Sequence, residues 1–322
     1  MRRYIAGRIL QLLIVVFLVT AISFFLIRLA PGDPFSFVGD YTINDTVRDR
    51  LRAQFGYDRP LIEQFVLFLG NVARGHLGYS HSMHRDVGTV IAGAVPRTLL
   101  LMGAALFTSF AIGIAVGALQ AVRRGSWLDR ATSGILLLFY SIPDFWLALM
   151  ALLAFAYWLP IFPAGGMVDQ VMHDYMSFGG RVRDVIAHLI LPSLTLALLG
   201  AAGIARFQRA ALLDVLPQDY VRTARAKGLA ERAVVFKHAL RNALLPVITL
   251  LGLSLPALVG GTFFVEKVFA WPGMGYLAAN AIAARDYDLV TGTVIVGGIM
   301  VALGSLLADL LYAAADPRLR AR

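Results

Sequence analysis

Residues 98–122 read TLLLMGAALFTSFAIGIAVGALQAV, a run without a single charged side chain. Crossing the hydrocarbon core of a bilayer as an α-helix takes about 20 mostly apolar residues, and this run is long enough. Working outward, five further stretches qualify: Ile9–Leu29, Thr132–Leu159, Ile186–Ala205, Leu244–Val265 and Val290–Ala313. Thr132–Leu159 has the length to be tilted or to extend into the interface. The composition agrees, with 58% hydrophobic and 15% charged residues, against about a quarter charged in an average soluble protein. Mean hydropathy is +0.71. A water-soluble core cannot hide that much apolar surface. The expected fold class is an all-α membrane protein of six transmembrane helices.

The first span follows Arg2, Arg3 and Arg8, as a secretory signal would. Its apolar run is too long for a signal peptide, and Ala30-Pro31-Gly32-Asp33-Pro34 follows it in place of a small-residue cleavage site. We read it as a retained anchor.

The formal net charge of +9 would suit nucleic acid, so the position of the charges decides its meaning. With the N-terminus inside, the inner segments hold Arg2, Arg3, Arg8, Arg123, Arg124, Arg130, Arg206, Arg209, Arg222, Arg225, Lys227, Arg232, Lys237, Arg241, Arg318, Arg320 and Arg322. The outer loops 160–185 and 266–289 hold only Arg181, Arg183, Lys267 and Arg285, set against six acids. The cations therefore obey the positive-inside rule. Both termini are expected on the cytoplasmic side, and no nucleic-acid partner is implied. The chain has no cysteine, which excludes disulfides, thiolate metal sites and a cysteine nucleophile.

This topology divides the chain into an N-terminal span (1–30), an external segment (31–97), a five-span core (98–313) and a cytoplasmic tail (314–322). In the external segment Leu61 to Val72 has helical periodicity, with Leu61, Phe65, Phe68, Leu69 and Val72 on one side. That helix is expected on the outer membrane surface or capping the bundle, where packing and contact with a delivery protein are both open to it.

The loop 206–243, between the fourth and fifth spans, is far longer than most connections and reads as helical. Pro217 breaks the preceding helix, and Asp219 is placed to cap a new one. Lys227 suits the negative helix end, and Gly228 supplies a left-handed stop. A second amphipathic helix is expected over Glu231–Ala243, with Ala233, Phe236, Leu240 and Leu244 on one face. The small residues Thr223, Ala224 and Ala226 allow close approach by a partner's backbone. A short helix held between two spans moves both when it is pushed, so a bulky charged residue at Ala224 or Gly228 is expected to uncouple that motion.

The segment Asp219-Tyr220-Val221-Arg222-Thr223-Ala224-Arg225-Ala226-Lys227-Gly228-Leu229, followed by Lys237-His238-Ala239-Leu240-Arg241-Asn242-Ala243-Leu244-Leu245-Pro246, resembles the EAA loop of binding-protein-dependent ABC importers. More narrowly it is similar to the B-type permease of the dipeptide/oligopeptide/nickel branch. Arg222 and Thr223 stand where the general pattern has Glu and its first Ala, Ala224 and Gly228 match, and Leu245-Pro246 falls later than the general spacing. Further resemblances run in order along the chain: Arg28 to Pro34, Leu77 to Ser80, Pro96 to Leu99, Ser141-Ile142-Pro143, Leu191-Pro192-Ser193, Trp271 to Gly275, Arg285-Asp286-Tyr287 and Asp316-Pro317-Arg318.

The resemblance implies the type I ABC importer permease fold, with a cytoplasmic coupling helix between spans four and five. Asp219, Arg222, Thr223, Ala224, Arg225, Ala226, Lys227 and Gly228 would be the ATPase-coupling residues. The implied partners are a second, homologous permease subunit, two ATP-binding subunits and an external substrate-binding protein, around a pathway for di- or oligopeptides. Nickel or another small solute is the alternative cargo within the branch. No Gly-x-x-x-x-Gly-Lys-Ser/Thr phosphate loop occurs, so ATP and Mg are assigned to the partner subunits, with no cofactor and no catalytic residue on this chain. A stand-alone secondary transporter would call for inverted repeats and mid-membrane charges. An intramembrane enzyme would call for motifs such as His-Glu-x-x-His or Gly-x-Ser-x-Gly, which are missing.

Of the remaining features, Asp144 beside Pro143 is the candidate for the translocation pathway, since an intramembrane charge is functional by default. Asp309 is expected to pair with an arginine of the tail. His76, His81 and His84 lie close in sequence, yet we expect them solvated, without a metal. Gly113 and Gly117 form a small-xxx-small pair for helix packing. Pro246, Gly252, Pro256, Gly260 and Gly261 suggest a kinked fifth span.

Overall fold

The computed structural model describes residues 2–29, 37, 38, 41, 42, 44, 46, 49, 50, 58–256 and 262–315. The first half comprises α1 (Arg2–Leu29), α2 (Leu61–Ala73), α3 (Val87–Val122), α4 (Trp127–Ser141), α5 (Asp144–Leu152, continued by a π-helical turn Leu153–Trp158) and α6 (Phe178–Val215). Then come α7 (Asp219–Ala226), α8 (Glu231–Ala243), α9 (Leu245–Ser254), α10 (Phe263–Val268), α11 (Met274–Ala283) and α12 (Tyr287–Ala315). Two small antiparallel ribbons accompany them: β1 (Phe37–Val38) with β2 (Tyr41–Thr42), and β3 (Tyr79–Ser80) with β4 (Arg85–Asp86).

Four helices are long and apolar enough to cross a membrane alone: Leu10–Leu29 of α1, α3, α6 and Tyr287–Ala308 of α12. Two bent pairs, residues 127–158 and Glu231–Ser254, raise the number to six. The helices outrun the apolar stretches. Asp86 accepts from the Thr89 amide and starts α3 eleven residues before Thr98, and the helix continues through Pro96. Likewise Ser177 caps α6 through the Gly180 amide, and that helix runs through Pro192 and past Ala205 to Val215. Hydropathy marks where the chain is apolar, whereas caps mark where the helix ends.

The third span departs from expectation. It is broken, with a bend of 104° between Ser141 and Asp144, and is not simply tilted. Pro143 lacks an N–H and pushes Ile142 into extended backbone (φ −82°, ψ 133°). The bend at the fifth span lies at its entry: α9 sits at 47° to α8, with Pro246 in its first turn. The helix α9 ends at Ser254, however, and Val265 belongs to the separate α10. Gly260 and Gly261 lie outside the described residues, as do Ala30 to Pro34, Asp316-Pro317-Arg318 and the side chain of Asp309.

The centre of the bundle is the contact of α3 with α6. A Cβ placed on Gly113 would lie 2.6 Å from the Ile204 side chain, and one on Gly117 would collide with the Ala205 carbonyl and lie 2.8 Å from the Gln208 side chain. Gly113 and Gly117 therefore set the approach of the two backbones, while Ala201, Ala202 and Ala205 complete a buried seam with Leu136. α2 lies on α1 through two residues of its apolar side, with the Phe65 and Phe68 rings tilted on Phe24 at 5.4 and 5.2 Å between ring centroids. Leu61 of the expected face is exposed, and Ile62 and Val66 are more so.

At the end of the bundle away from α7, buried acids hold the loops. Glu266, fully buried, accepts from Thr98 Oγ1 (2.9 Å) and from the amides of Gly275 (2.7 Å) and Tyr276 (3.0 Å). Thr98 Oγ1 in turn accepts from the Met274 amide (2.7 Å), and Trp271 Nε1 donates to the Arg97 carbonyl (2.9 Å). Asp286 takes the Ser80 and Ser82 hydroxyls at 2.6 and 2.7 Å, tying β3 to the start of α12. Motifs distant in sequence, Pro96 to Leu99 and Trp271 to Gly275, thus meet in one hydrogen-bonded joint.

Two outcomes follow from this packing. Gly117→Leu overpacks the α3–α6 seam at a cost of about 1–3 kcal/mol and should lower the thermal unfolding midpoint of the purified assembly. Gly103→Leu, where nothing lies within 4 Å, should leave it unchanged. Glu266→Ala orphans three donors at about 1–3 kcal/mol each, so it should lower the midpoint further, with Glu266→Gln recovering part of the loss.

Candidate functional site

The candidate site is the platform formed by the ends of α3, α4 and α6 together with α7 and α8. Ser126 caps α4 through the Asp129 amide, and Asp129, almost fully buried, accepts from the Gly125 amide at 2.9 Å. Arg209 of α6 grips the same carboxylate from Nε (3.1 Å) and Nη2 (2.9 Å). This two-pronged pair fixes the turn between α3 and α4 to α6. Sequence reasoning counted Arg209 only as a topology marker and missed Asp129, although Ser126-x-x-Asp129 is a recognisable helix-start pattern.

α7 begins where Pro217 stops α6. Its cap is Gln218, and the Gln218 carbonyl accepts from the amides of Val221 (3.0 Å) and Arg222 (3.1 Å). Asp219 is the first helical residue, not the cap expected of it. Its side chain is almost wholly in solvent, 3.9 Å from Arg222 Nη1. There it supplies negative charge at the positive helix end, not a capping bond. Gly228, at φ +75°, supplies the left-handed stop that was expected.

One side of α7 is cemented to the bundle. Val221 (0% exposed) and Ala224 (5%) pack with Ala118, Leu212, Ala239 and Ala243. Ala224 is therefore a core residue facing its own chain, contrary to the expectation that it admits a partner's backbone. A bulky residue there breaks packing before it reports on coupling. Asn242 Nδ2 donates to the Tyr220 hydroxyl at 2.8 Å, a second tie to α8. Across the Gly228 stop, Arg225 holds Glu231 at 2.7 and 3.1 Å and keeps its carboxyl below the usual carboxylate range.

α8 also differs from expectation. It contains a π-helical turn over Val234–Ala239, which shifts the register of its faces. Val234, Val235, Ala239 and Ala243 are the buried residues, Ala233, Leu240 and Leu244 of the expected face are only partly buried, and Phe236 is 65% exposed.

What α7 offers outward is the opposite stripe. Asp219, Arg222, Thr223 and Ala226 are all exposed and follow the i, i+3, i+4, i+7 spacing of one helix face. Lys227 and Arg225 flank it. The stripe is polar, its Asp219 and Arg222 charges cancel, cations flank it, and it contains no large apolar side chain. It has the character of a docking ridge, with no nucleophile, acid–base pair or phosphate cradle for chemistry.

The other candidates are dispersed. Asp144 opens α5 at the 104° bend, is half-buried, and accepts from the Phe145 amide at 2.7 Å. His81 packs edge-on to Tyr79 at 6.0 Å. Among the described residues no three His, Asp or Glu side chains come together as a metal site.

Comparison with known proteins places this platform in context. The family model of the binding-protein-dependent transport system inner membrane component matches residues 109–321, and the model of its N-terminal part matches residues 1–102. A putative peptide permease protein of Brucella suis is 43% identical over 99% of both chains. An oligopeptide transport system permease protein of Bacillus subtilis is 38% identical, and a glutathione transport system permease protein of Escherichia coli 37%, each again over 99% of both chains. The chain belongs to the binding-protein-dependent transport system inner-membrane component family, and it is a multi-pass, non-catalytic B-type permease subunit of an ATP-binding-cassette importer.

Proposed function

We propose that this chain forms half of a peptide pathway across the cytoplasmic membrane, with α7 as the element through which an ATPase drives it. One observation carries the reading: α7 is fixed to the bundle by Val221 and Ala224, while among the described residues Asp219, Arg222, Thr223 and Ala226 are left exposed on its other side. A helix so mounted passes a displacement of its outer face to α6 and α8 together. Arg225 and Gly228 fix the end of the lever, through the Arg225–Glu231 pair and the left-handed stop, and Lys227 adds a cation beside them.

In this reading α7 lies on the cytoplasmic side, as the distribution of Lys and Arg demands, and both termini do too. A second, homologous permease completes the pathway, two ATP-binding subunits hold ATP and Mg, and an external substrate-binding protein delivers cargo. Nucleotide-driven approach of the ATPases opens the pathway outward, and hydrolysis resets it, so transport proceeds by alternating access. Asp144 is the pathway candidate. It sits at a helix start beside non-helical backbone, which at membrane depth is tolerated only where protein or a water-filled cavity borders it.

The relatives' names favour peptides as cargo over nickel: they are permeases for peptides, oligopeptides and glutathione. The test uses the assembled importer in vesicles. Thr223→Glu or Ala226→Glu should lower ATP-driven peptide uptake about tenfold or more, the equivalent of ~1.4 kcal/mol of docking free energy, with insertion and thermal stability unchanged. Uptake at the unsubstituted rate in both variants would sink the assignment of α7.

A further inference from the structure

Between α3 and α8, on the same end of the bundle as α7, the surface is hollowed into a cavity of about 670 Å³. One wall is the α3 stripe Ala111, Ala115, Leu119 and Val122, and the other includes Val235 and Phe236. The hollow exists because three of the α3 positions lining it, Ala111, Ala115 and Ala118, are alanines. From Ala111 to Val122 the helix rises about 16 Å at 1.5 Å per residue, roughly half of a ~30 Å hydrocarbon core. The cavity is therefore as deep as one leaflet.

Its mouth is cationic. Arg123, which ends α3, and Arg232 of α8 both border it. Glu231 stands on the same rim, but Arg225 already occupies both of its oxygens. Among the described residues neither Arg123 nor Arg232 has an ion pair. Just past Arg123, Trp127 at the start of α4 is 75% exposed, and tryptophan settles at the headgroup level of a bilayer. The two guanidinium groups thus stand where lipid phosphates lie, above a slot that matches one acyl chain.

We propose that this cavity binds one anionic phospholipid, with its phosphate between Arg123 and Arg232 and an acyl chain along the Ala111–Val122 face. Basic pockets between spans take acidic headgroups in this way, and a guanidinium pairs with phosphate through two parallel hydrogen bonds. An apolar helix of another subunit would fill the slot but leave both arginines without counter-charge.

The complete importer, exchanged into micelles containing equal phosphatidylglycerol and phosphatidylcholine and repurified, tests this by mass spectrometry of the retained lipid. The unsubstituted complex should retain phosphatidylglycerol selectively. Arg123→Gln with Arg232→Gln should weaken that retention about thirtyfold, or about fivefold per arginine. Both substitutions are at exposed surface positions, so the subunit should fold and assemble. Ala115→Trp, which fills the slot and spares both arginines, should also abolish retention. Equal retention of the two lipids by the unsubstituted complex, or undiminished selectivity in the double variant, would overturn the proposal. So would disulfide capture of Phe236→Cys by a cysteine placed on the second permease, since the slot would then be a subunit contact.

Discussion

Everything in this structure hangs on how closely α3 and α6 approach. In a bilayer there is no hydrophobic force between helices, because lipid is as apolar as leucine, so association rests on packing at short range. Gly113 and Gly117 remove atoms that would hold the two backbones apart, and Ile204, Ala205 and Gln208 fill the space they leave. α3 and α6 are also the longest of the bundle's helices. Their shared seam therefore extends beyond the apolar region and becomes a foundation at one end. On that foundation Asp129 and Arg209 lock the neighbouring turn, and Ala118, Leu212 and Val221 seat α7.

The two ends of the bundle are built from different materials. Away from α7, buried acids serve as acceptors for loop amides and hydroxyls, as Glu266 does for Gly275, Tyr276 and Thr98 and Asp286 does for Ser80 and Ser82. Such joints need no cation, because each carboxylate is satisfied by neutral donors. At the α7 end the links are arginine–carboxylate pairs and small-residue packing, and cations are left over on the surface. Those surplus cations carry the topology signal in the sequence, the docking ridge on α7 and the rim of the α3–α8 cavity.

Much of this was legible beforehand, and the exceptions have physical causes. Length and hydropathy identify spans because satisfying every backbone group inside lipid allows only helices. Gly228 was readable because a left-handed stop nearly demands glycine. The Asp219 cap failed because Gln218 already occupies the turn after Pro217, which leaves Asp219 one residue inside the helix. The α8 face failed because the π-helical turn at Val234–Ala239 slips the period, and nothing in the hydrophobic pattern announces that. Ala224 was misread because a small residue fits equally against one's own chain or a partner's. Only the buried Val221, one turn before it, shows which way that face points. The break at Pro143 was marked by its proline, but its 104° angle is a tertiary outcome of the packing of α4 and α5 on α6.

The central claim is that α7 presents one face to its own bundle and the other to an ATPase. Since the chain has no cysteine, a single cysteine placed in α7 reports its contacts without background from the rest of this chain. Crosslinking of the intact importer with Ala226→Cys should yield an adduct with the ATP-binding subunit whose yield changes when ATP is added, whereas Val221→Cys should yield none. An Ala226→Cys adduct confined to the external binding protein, or no adduct with the ATP-binding subunit under any nucleotide condition, would contradict the account.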